Sequence, residues 1–246
     1  MNALSRLPPP GCAALLLDLD GTLLDIAPRP DLVVVPPGLA EALTGLRAAL
    51  GDALAVISGR PIEQIDGLLP DIPHAVAGEH GGAVRHAPGG VVERPDLPAP
   101  PEAWRRAAAA LASAHPGAIA EPKARGFVLH YRGCPEAGPV LRAGLDALLA
   151  GDARFVIAPA HMAWEVRPIG ADKGDAVRAL MARPPFAGRR PVFIGDDVTD
   201  RDGMAAAEAL GGAGLFVPDV FGDAAGVRAW LAHAAARPDA WVTAPG

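Results

Sequence analysis

The sequence predicts an α/β protein, a parallel-sheet core interrupted by an inserted α+β unit. Three observations point there. Over the first third of the chain, short apolar runs of strand length alternate with helix-periodic segments, the order that builds a parallel sheet. The same alternation resumes after Lys173. Between these stretches the order changes to helix, strand, helix, strand, strand, which reads as a separate small sheet.

Taken in order, Ala13–Leu17 reads as a buried strand, Pro37–Leu50 as an amphipathic helix and Ala53–Ser58 as a second strand. Pro61 takes a first-turn helix position, followed by Ile62, Ile65, Leu68 and Leu69 at helical spacing. Ala75–Ala77 is a short third strand that runs into Gly78-Glu79-His80-Gly81-Gly82. The Pro- and Gly-rich stretch from Pro88 to Pro101 reads as a connection. Helix Glu102–His115 precedes strand Phe127–Arg132, with Glu121 and Lys123 on an extended segment just before that strand. Helix Glu136–Leu149 and strands Arg154–Ala158 and Ala163–Arg167 complete the insertion. The core then continues with helix Asp175–Ala182, strand Pro191–Ile194, helix Asp200–Leu210, strand Gly214–Val217 and helix Ala224–Ala236. This assigns residues 1–86 and 168–246 to the core and 87–167 to the insertion.

Composition narrows the function classes. Half of the 246 residues are apolar, enough for a substantial core, and the formal charge of −6 with no basic run argues against a nucleic-acid surface. Met1 to Leu7 has no apolar signal region, and the next apolar run stops at Asp18, so a cytoplasmic protein with no membrane partner is expected. Cys12 and Cys134 have no metal-type spacing; a disulfide between them is open, and two reduced thiols are the ordinary reading. Of the 22 Lys and Arg residues, only Lys123 and Lys173 are lysines. A lysine retained in so arginine-rich a chain marks a place where a compact ammonium is needed and a planar guanidinium does not fit.

The chemistry concentrates where apolar runs end. Leu15-Leu16-Leu17-Asp18-Leu19-Asp20-Gly21-Thr22 ends a buried strand in two carboxylates, a glycine and a hydroxyl. Ligands of open α/β sheets bind at that edge. Ser58-Gly59-Arg60, Lys173-Gly174-Asp175 and Gly195-Asp196-Asp197-Val198-Thr199-Asp200 fall at other strand ends and helix starts. Each has an ordinary reading as a turn or a helix cap; together they suit attack on a phosphate monoester. Asp18 is the candidate nucleophile, and Asp20 is the acid that protonates the leaving alkoxide and then the base that activates water. A hard divalent cation, Mg²⁺, would take the Asp18 carboxylate, the Asp20 carbonyl and the Asp196 carboxylate. Lys173 and Ser58 would hold the phosphoryl oxygens, Gly21 would permit the turn that aims both acids, and Asp197 and Asp200 would orient Lys173 or metal-bound water.

These motifs, with Gly78-Glu79-His80-Gly81, His130-Tyr131-Arg132 and Glu165-Val166-Arg167-Pro168-Ile169-Gly170, resemble the haloacid dehalogenase superfamily of phosphatases, and within it the trehalose-6-phosphate phosphatase family. The resemblance runs from about Ala13 to about Val217. It implies a Rossmann-like core, an inserted cap that selects substrate, and Mg²⁺-dependent hydrolysis of trehalose 6-phosphate in trehalose biosynthesis. It also implies Asp18 as nucleophile, Asp20 as acid and base, Ser58 and Lys173 on phosphate, and Asp196 on metal. Glu121, Lys123 and Glu165 correspond to the residues with which similar enzymes hold the distal glucose. Gly59 and Arg60 beside Ser58, Glu79 and His80 after the third strand, and Arg132 complete the expected substrate contacts; His80 reads equally as structural, and Arg132, with Arg167, as stabilising the cap. Arg201 and Gly203-Met204 stand where the family more often has an acid and an aromatic. Sucrose-, glucosylglycerol- and mannosylglycerate-phosphate phosphatases, a phosphohexomutase, and a non-catalytic partner of trehalose-6-phosphate synthase are the competing readings. A functional association of an active phosphatase with that synthase is also expected.

Overall fold

Ala13–Leu17 forms β1, and all five of its residues are fully buried. A strand with no exposed face needs cover on both sides, the condition of a parallel sheet, and each of its Leu side chains contributes about 1.5–3 kcal/mol by leaving water. β1 lies between β2 (Leu54–Ile57) and β10 (Arg190–Gly195), parallel to both. β3 (Ala75–Gly78) and β11 (Ala213–Phe216) extend the parallel part on either side. These strands belong to a computed structural model that describes residues 3–27, 32–123, 125–170, 172–238 and 241. Its chain divides into two units, Met1–Arg94 with Asp172–Gly246, and Pro95–Ala171.

The first unit carries a seven-stranded sheet in the order β11-β10-β1-β2-β3-β4-β5. β4 (Ala83–Arg85) and β5 (Val92–Glu93) are antiparallel additions absent from the parallel expectation, too short to show a period in the sequence. β5 keeps Val92 and Glu93 in the first unit, inside the stretch expected to be a connection. The helices are α1 (Leu39–Ala49), α2 (Ile62–Leu68), α5 (Lys173–Met181), α6 (Asp200–Ala209), α7 (Val217–Val220) and α8 (Ala224–Ala236). Val227, Trp230, Leu231 and Ala234 line the buried side of α8, and Leu39, Ala42, Leu43 and Leu46 that of α1.

Helix starts differ from the sequence expectation at four places, the helices expected from Pro37 and Glu136 each beginning two residues later, at Leu39 and Gly138. Pro61 stands before α2 with an extended ψ of 149°, as its cap and not in its first turn. α5 begins two residues earlier than expected, at Lys173, because Asp172 caps it by accepting the Asp175 N–H at 2.8 Å.

The second unit is a four-stranded antiparallel sheet, β6-β7-β9-β8, with α3 (Glu102–Ser113) and α4 (Gly138–Leu149). Its strands are β6 (Ile119–Pro122), β7 (Phe127–His130), β8 (Phe155–Ala160) and β9 (Ala163–Pro168). Phe127, Leu129, Phe155 and Val166 share a core with Leu141 and Leu145 of α4. β6 escaped notice as a strand because it is short and ends in proline, which an edge position tolerates. Cys12 is exposed and Cys134 buried, both free thiols. No helix among the described residues is long and apolar enough to cross a membrane.

Candidate active site

The parallel register brings the ends of β1, β2 and β10 to one edge of the sheet, where chain order reverses direction across β1. Asp18 follows β1 and is 4% exposed. Its Oδ1 accepts from the Lys173 ammonium at 2.5 Å. Lys173, from the first residue of α5 and 3% exposed, also donates to Asp200 Oδ1 at 2.5 Å. The other Asp200 oxygen accepts the backbone N–H groups of Asp196 and Asp197 at 3.0 and 2.9 Å. Asp200 is therefore a fully occupied bracket that fixes both the ammonium and the loop carrying Asp196. Asp197 turns its own carboxylate onto the Val198 N–H at 2.7 Å; of the two acids expected to orient Lys173, it is Asp200 that reaches it.

Asp196 Oδ1 accepts from the Thr22 hydroxyl at 3.0 Å. Its Oδ2 lies against Gly21, where an added Cβ would stand 2.1 Å away, and Gly21 holds a left-handed φ of +89°. Both the turn and the close approach demand glycine here. Gly21→Ala is expected to displace Asp196 and lower kcat/KM at least about 10²-fold, the usual cost of misplacing a reacting group by an ångström. Wild-type kcat/KM in that variant would show that Asp196 does not work from this position.

Asp18, Asp196 and Asp200 each present a carboxylate oxygen within 4.8 Å of the others. Burial, then the Asp200 carboxylate, pushes Asp18 well above its ordinary range against the pull of Lys173. Burial also raises Asp196, opposed by the Thr22 hydrogen bond. Burial works against the Lys173 charge, but Asp18 and Asp200 outweigh it and raise the ammonium above its ordinary value. Three acids against one ammonium leave excess negative charge, and an all-carboxylate donor set without His or Cys suits a hard divalent cation.

Asp20 is held differently from the sequence expectation. Arg60 grips it with two parallel bonds, Nε to Oδ2 at 2.6 Å and Nη2 to Oδ1 at 2.7 Å. Arg60, expected on substrate, thus spends its fork on the acid, the pairing geometry that favours Arg over Lys. Ser58 is 1% exposed, and its Oγ accepts the Arg60 N–H at 3.2 Å. Gly59 lies under the His80 ring, where a Cβ would come within 2.5 Å of Nε2. Glu79 and His80 both hold left-handed φ values, 54° and 56°, a conformation that costs energy in residues with a Cβ. Glu79 Oε1 accepts from Arg94 at 2.7 Å, while its buried Oε2 has no hydrogen-bond partner among the described residues.

In the second unit, strand pairing sets Glu121 opposite Val128, and Val128 opposite Glu165. Alternation adds His130 to the same face, away from the face on which Trp164 Nε1 donates to the Gly138 carbonyl of α4 at 2.8 Å. Glu121 is ion-paired to Lys123 and hydrogen-bonded to His130 Nε2 at 2.7 Å. The His130 bond, against the cost of burial and with help from Lys123, pulls Glu121 down to about 2. Its contribution to stability is present above the ordinary Glu range and is lost as pH falls toward 2, so Glu121 stays an anion throughout neutral pH. Glu165 is buried, and Arg132 is exposed in the turn after β7.

Residues 16–217 match the family model of trehalose-phosphatase. A probable trehalose-phosphate phosphatase of Sinorhizobium fredii is 40% identical over 81% of this chain and 75% of its own length. The trehalose-6-phosphate phosphatase of Escherichia coli is 35% identical over 93% of this chain and 84% of its own. The chain belongs to the trehalose-phosphatase family. With that membership comes its enzyme class, a phosphatase. The fold agrees: the C-terminal domain of C. albicans trehalose-6-phosphate phosphatase superposes with a TM-score of 0.69 at 21% identity, over 81% of this chain and 75% of that one.

Sequence reasoning about this trehalose-phosphatase chain passed over three contacts. Thr22 was noted only as a hydroxyl beside the acids, and its bond to Asp196 spans 174 positions. Arg94 sits in a stretch read as a connection and holds Glu79. His130 stands in the segment His130-Tyr131-Arg132, and the alternation of β7 from Phe127 is the signal that places it on the face of Glu121.

Proposed function

We propose that this protein hydrolyses trehalose 6-phosphate to trehalose and phosphate, with Mg²⁺ bound, through a phosphoenzyme on Asp18. The observation that carries this reading is one buried ammonium shared between Asp18 and Asp200 at the carboxyl edge of a parallel sheet, in a chain of this family. Asp18 and Asp196 would hold the cation with the Asp20 carbonyl, while Asp200, bonded to Lys173 and to two backbone N–H groups, would fix the ammonium and the loop. When bound, the cation offsets the repulsion between the Asp18 carboxylate and the incoming phosphate dianion.

Lys173 fixes Asp18 through Oδ1, which leaves Oδ2 to attack phosphorus as the bond from phosphorus to the sugar oxygen breaks. Ser58 donates a hydrogen bond from its hydroxyl to a phosphoryl oxygen. Asp20, released from Arg60, gives a proton to the departing sugar oxygen, then takes one from the water that cleaves the acyl phosphate. The expected barrier lowering is on the order of 20 kcal/mol, most of it electrostatic. The second unit, Pro95–Ala171, acts as the specificity unit, whose Glu121, Lys123 and Glu165 recognise sugar hydroxyls through charged hydrogen bonds. Glu79, with its unpaired Oε2, is the core residue best prepared to accept from a further hydroxyl.

Phosphate release measured over a panel of sugar phosphates, with Mg²⁺ and with excess chelator, tests this reading. Trehalose 6-phosphate should be turned over with the highest kcat/KM, ahead of sucrose 6-phosphate and glucose 6-phosphate. Chelation should lower the rate at least about 10²-fold. An undiminished rate in chelator would sink the metal role, and equal kcat/KM across the panel would sink the disaccharide assignment.

A further inference from the structure

The charged face of the second unit has one member with no assigned task, and its place in the sheet gives it one. His130 closes β7, an interior strand paired to β6 on one side and β9 on the other. Glu121 lies on the edge strand β6, and Lys123 just beyond its end. Glu and Lys are among the side chains with most rotamer freedom to lose on binding. His130 reaches diagonally across the ladder, since its direct partner on β6 is Ile119 and that of Glu121 is Val128. Its Nε2 stands 2.7 Å from Glu121 Oε2, while Glu121 Oε1 is taken by Lys123. Because Glu121 is an anion that can only accept, Nε2 carries the proton and donates.

The pair is a poor stabiliser of the fold: the His130 and Glu121 side chains are 37% and 41% exposed, and ion pairs so exposed add little. What the contact does is fix the rotamer of a carboxylate side chain that would otherwise be free to turn, and with it the ammonium bound to its other oxygen. We propose that His130 is the positioning residue for sugar recognition, holding Glu121 and, through it, Lys123 in the arrangement that selects a disaccharide phosphate over a simple ester. This rests on the reading in which Glu121, Lys123 and Glu165 recognise the sugar. His130 orders that face in advance, so less freedom is lost when the substrate arrives.

The test compares kcat/KM for trehalose 6-phosphate with kcat/KM for p-nitrophenyl phosphate in four full-length proteins: wild type, His130→Ala, His130→Gln and Lys123→Ala. The Gln amide nitrogen falls close to the position of Nε2 and can donate to Glu121; Ala cannot. His130→Ala should lower the ratio of the two constants about 10-fold, and His130→Gln should recover it to within about threefold of wild type. A ratio unchanged in His130→Ala, or lowered equally in the Ala and Gln variants, overturns the proposal. So does a His130→Ala variant that fails to fold, because the residue would then be structural. Lys123→Ala separates the two levels. A lowered ratio there with an unchanged one in His130→Ala removes only the role of His130. An unchanged ratio in Lys123→Ala removes the sugar-recognising face itself.

Discussion

Asp18→Asn is expected to abolish turnover, by on the order of 10⁴-fold or more, while raising the thermal stability of the metal-free protein. The loss follows from the chemistry: an amide oxygen is a far weaker nucleophile than a carboxylate, and residues that act as a unit lose most of their effect when one is removed. The gain in stability follows from the environment. Asp18 is 4% exposed, faces Asp196 and Asp200, and is pushed well above its ordinary range by burial first and by those acids next. A carboxyl group raised in the folded state stabilises the fold only where it is protonated, and that contribution is lost as pH rises through its folded value. Above the ordinary Asp range this carboxyl group is therefore a net burden that Asn does not carry. Thermal melts in chelator should show Asp18→Asn a few degrees above wild type at pH 7–8, with the difference shrinking as the pH is lowered toward 4. Near-normal steady-state turnover would rule out the nucleophile assignment; a variant less stable than wild type at pH 7–8 would mean that the Lys173 bond outweighs the crowding of charge.

That balance of charge also shows how far the sequence could be read. The runs Ala13–Leu17 and Pro191–Ile194 are apolar throughout because their strands are buried on both faces, and a segment of that kind announces itself without neighbours. The acids after them were legible for the same reason: Asp18 and Asp196 interrupt segments that otherwise avoid charge. Lys173 stood out through arginine-rich composition and proved buried between two carboxylates. What stayed hidden depends on pairs far apart in the chain. Arg60 and Asp20 are 40 positions apart, and nothing local to either says that the guanidinium is turned toward the acid. β4 and β5 are strands by virtue of their partners, at three and two residues, and carry no pattern of their own. His130 is exposed enough to pass for an ordinary surface residue, and only the register of β6 against β7 brings it to Glu121.

Removing the ammonium should damage turnover less than removing the nucleophile, and harm the fold more. Lys173→Ala leaves Asp18 and Asp200, at 4% and 0% exposed, without the cation that both bind at 2.5 Å. Breaking a buried pair in this one-sided way costs about 3–5 kcal/mol, because the remaining charges stay in place without compensation. For a chain of this length the melting temperature should fall by roughly 10 °C. Turnover should fall on the order of 10³-fold, since Asp18 loses its orientation and the phosphoryl oxygens lose a positive neighbour. The linkage sign for the lysine is opposite to that for Asp18. A lysine raised above its ordinary value contributes stability that is fully present below that value and lost only as pH climbs through the folded one. The melting difference between Lys173→Ala and wild type should thus show no dependence on Lys173 ionisation anywhere near neutral pH. A second substitution separates charge from catalysis. Adding Asp200→Asn to Lys173→Ala removes one of the stranded carboxylates and should recover several degrees of the lost stability, while turnover stays at the level of the single variant. Recovery of turnover along with stability would mean that Lys173 serves only to neutralise Asp200. A single variant as stable as wild type would mean that the three acids are not jointly ionised, and that the excess negative charge assigned to this site is absent.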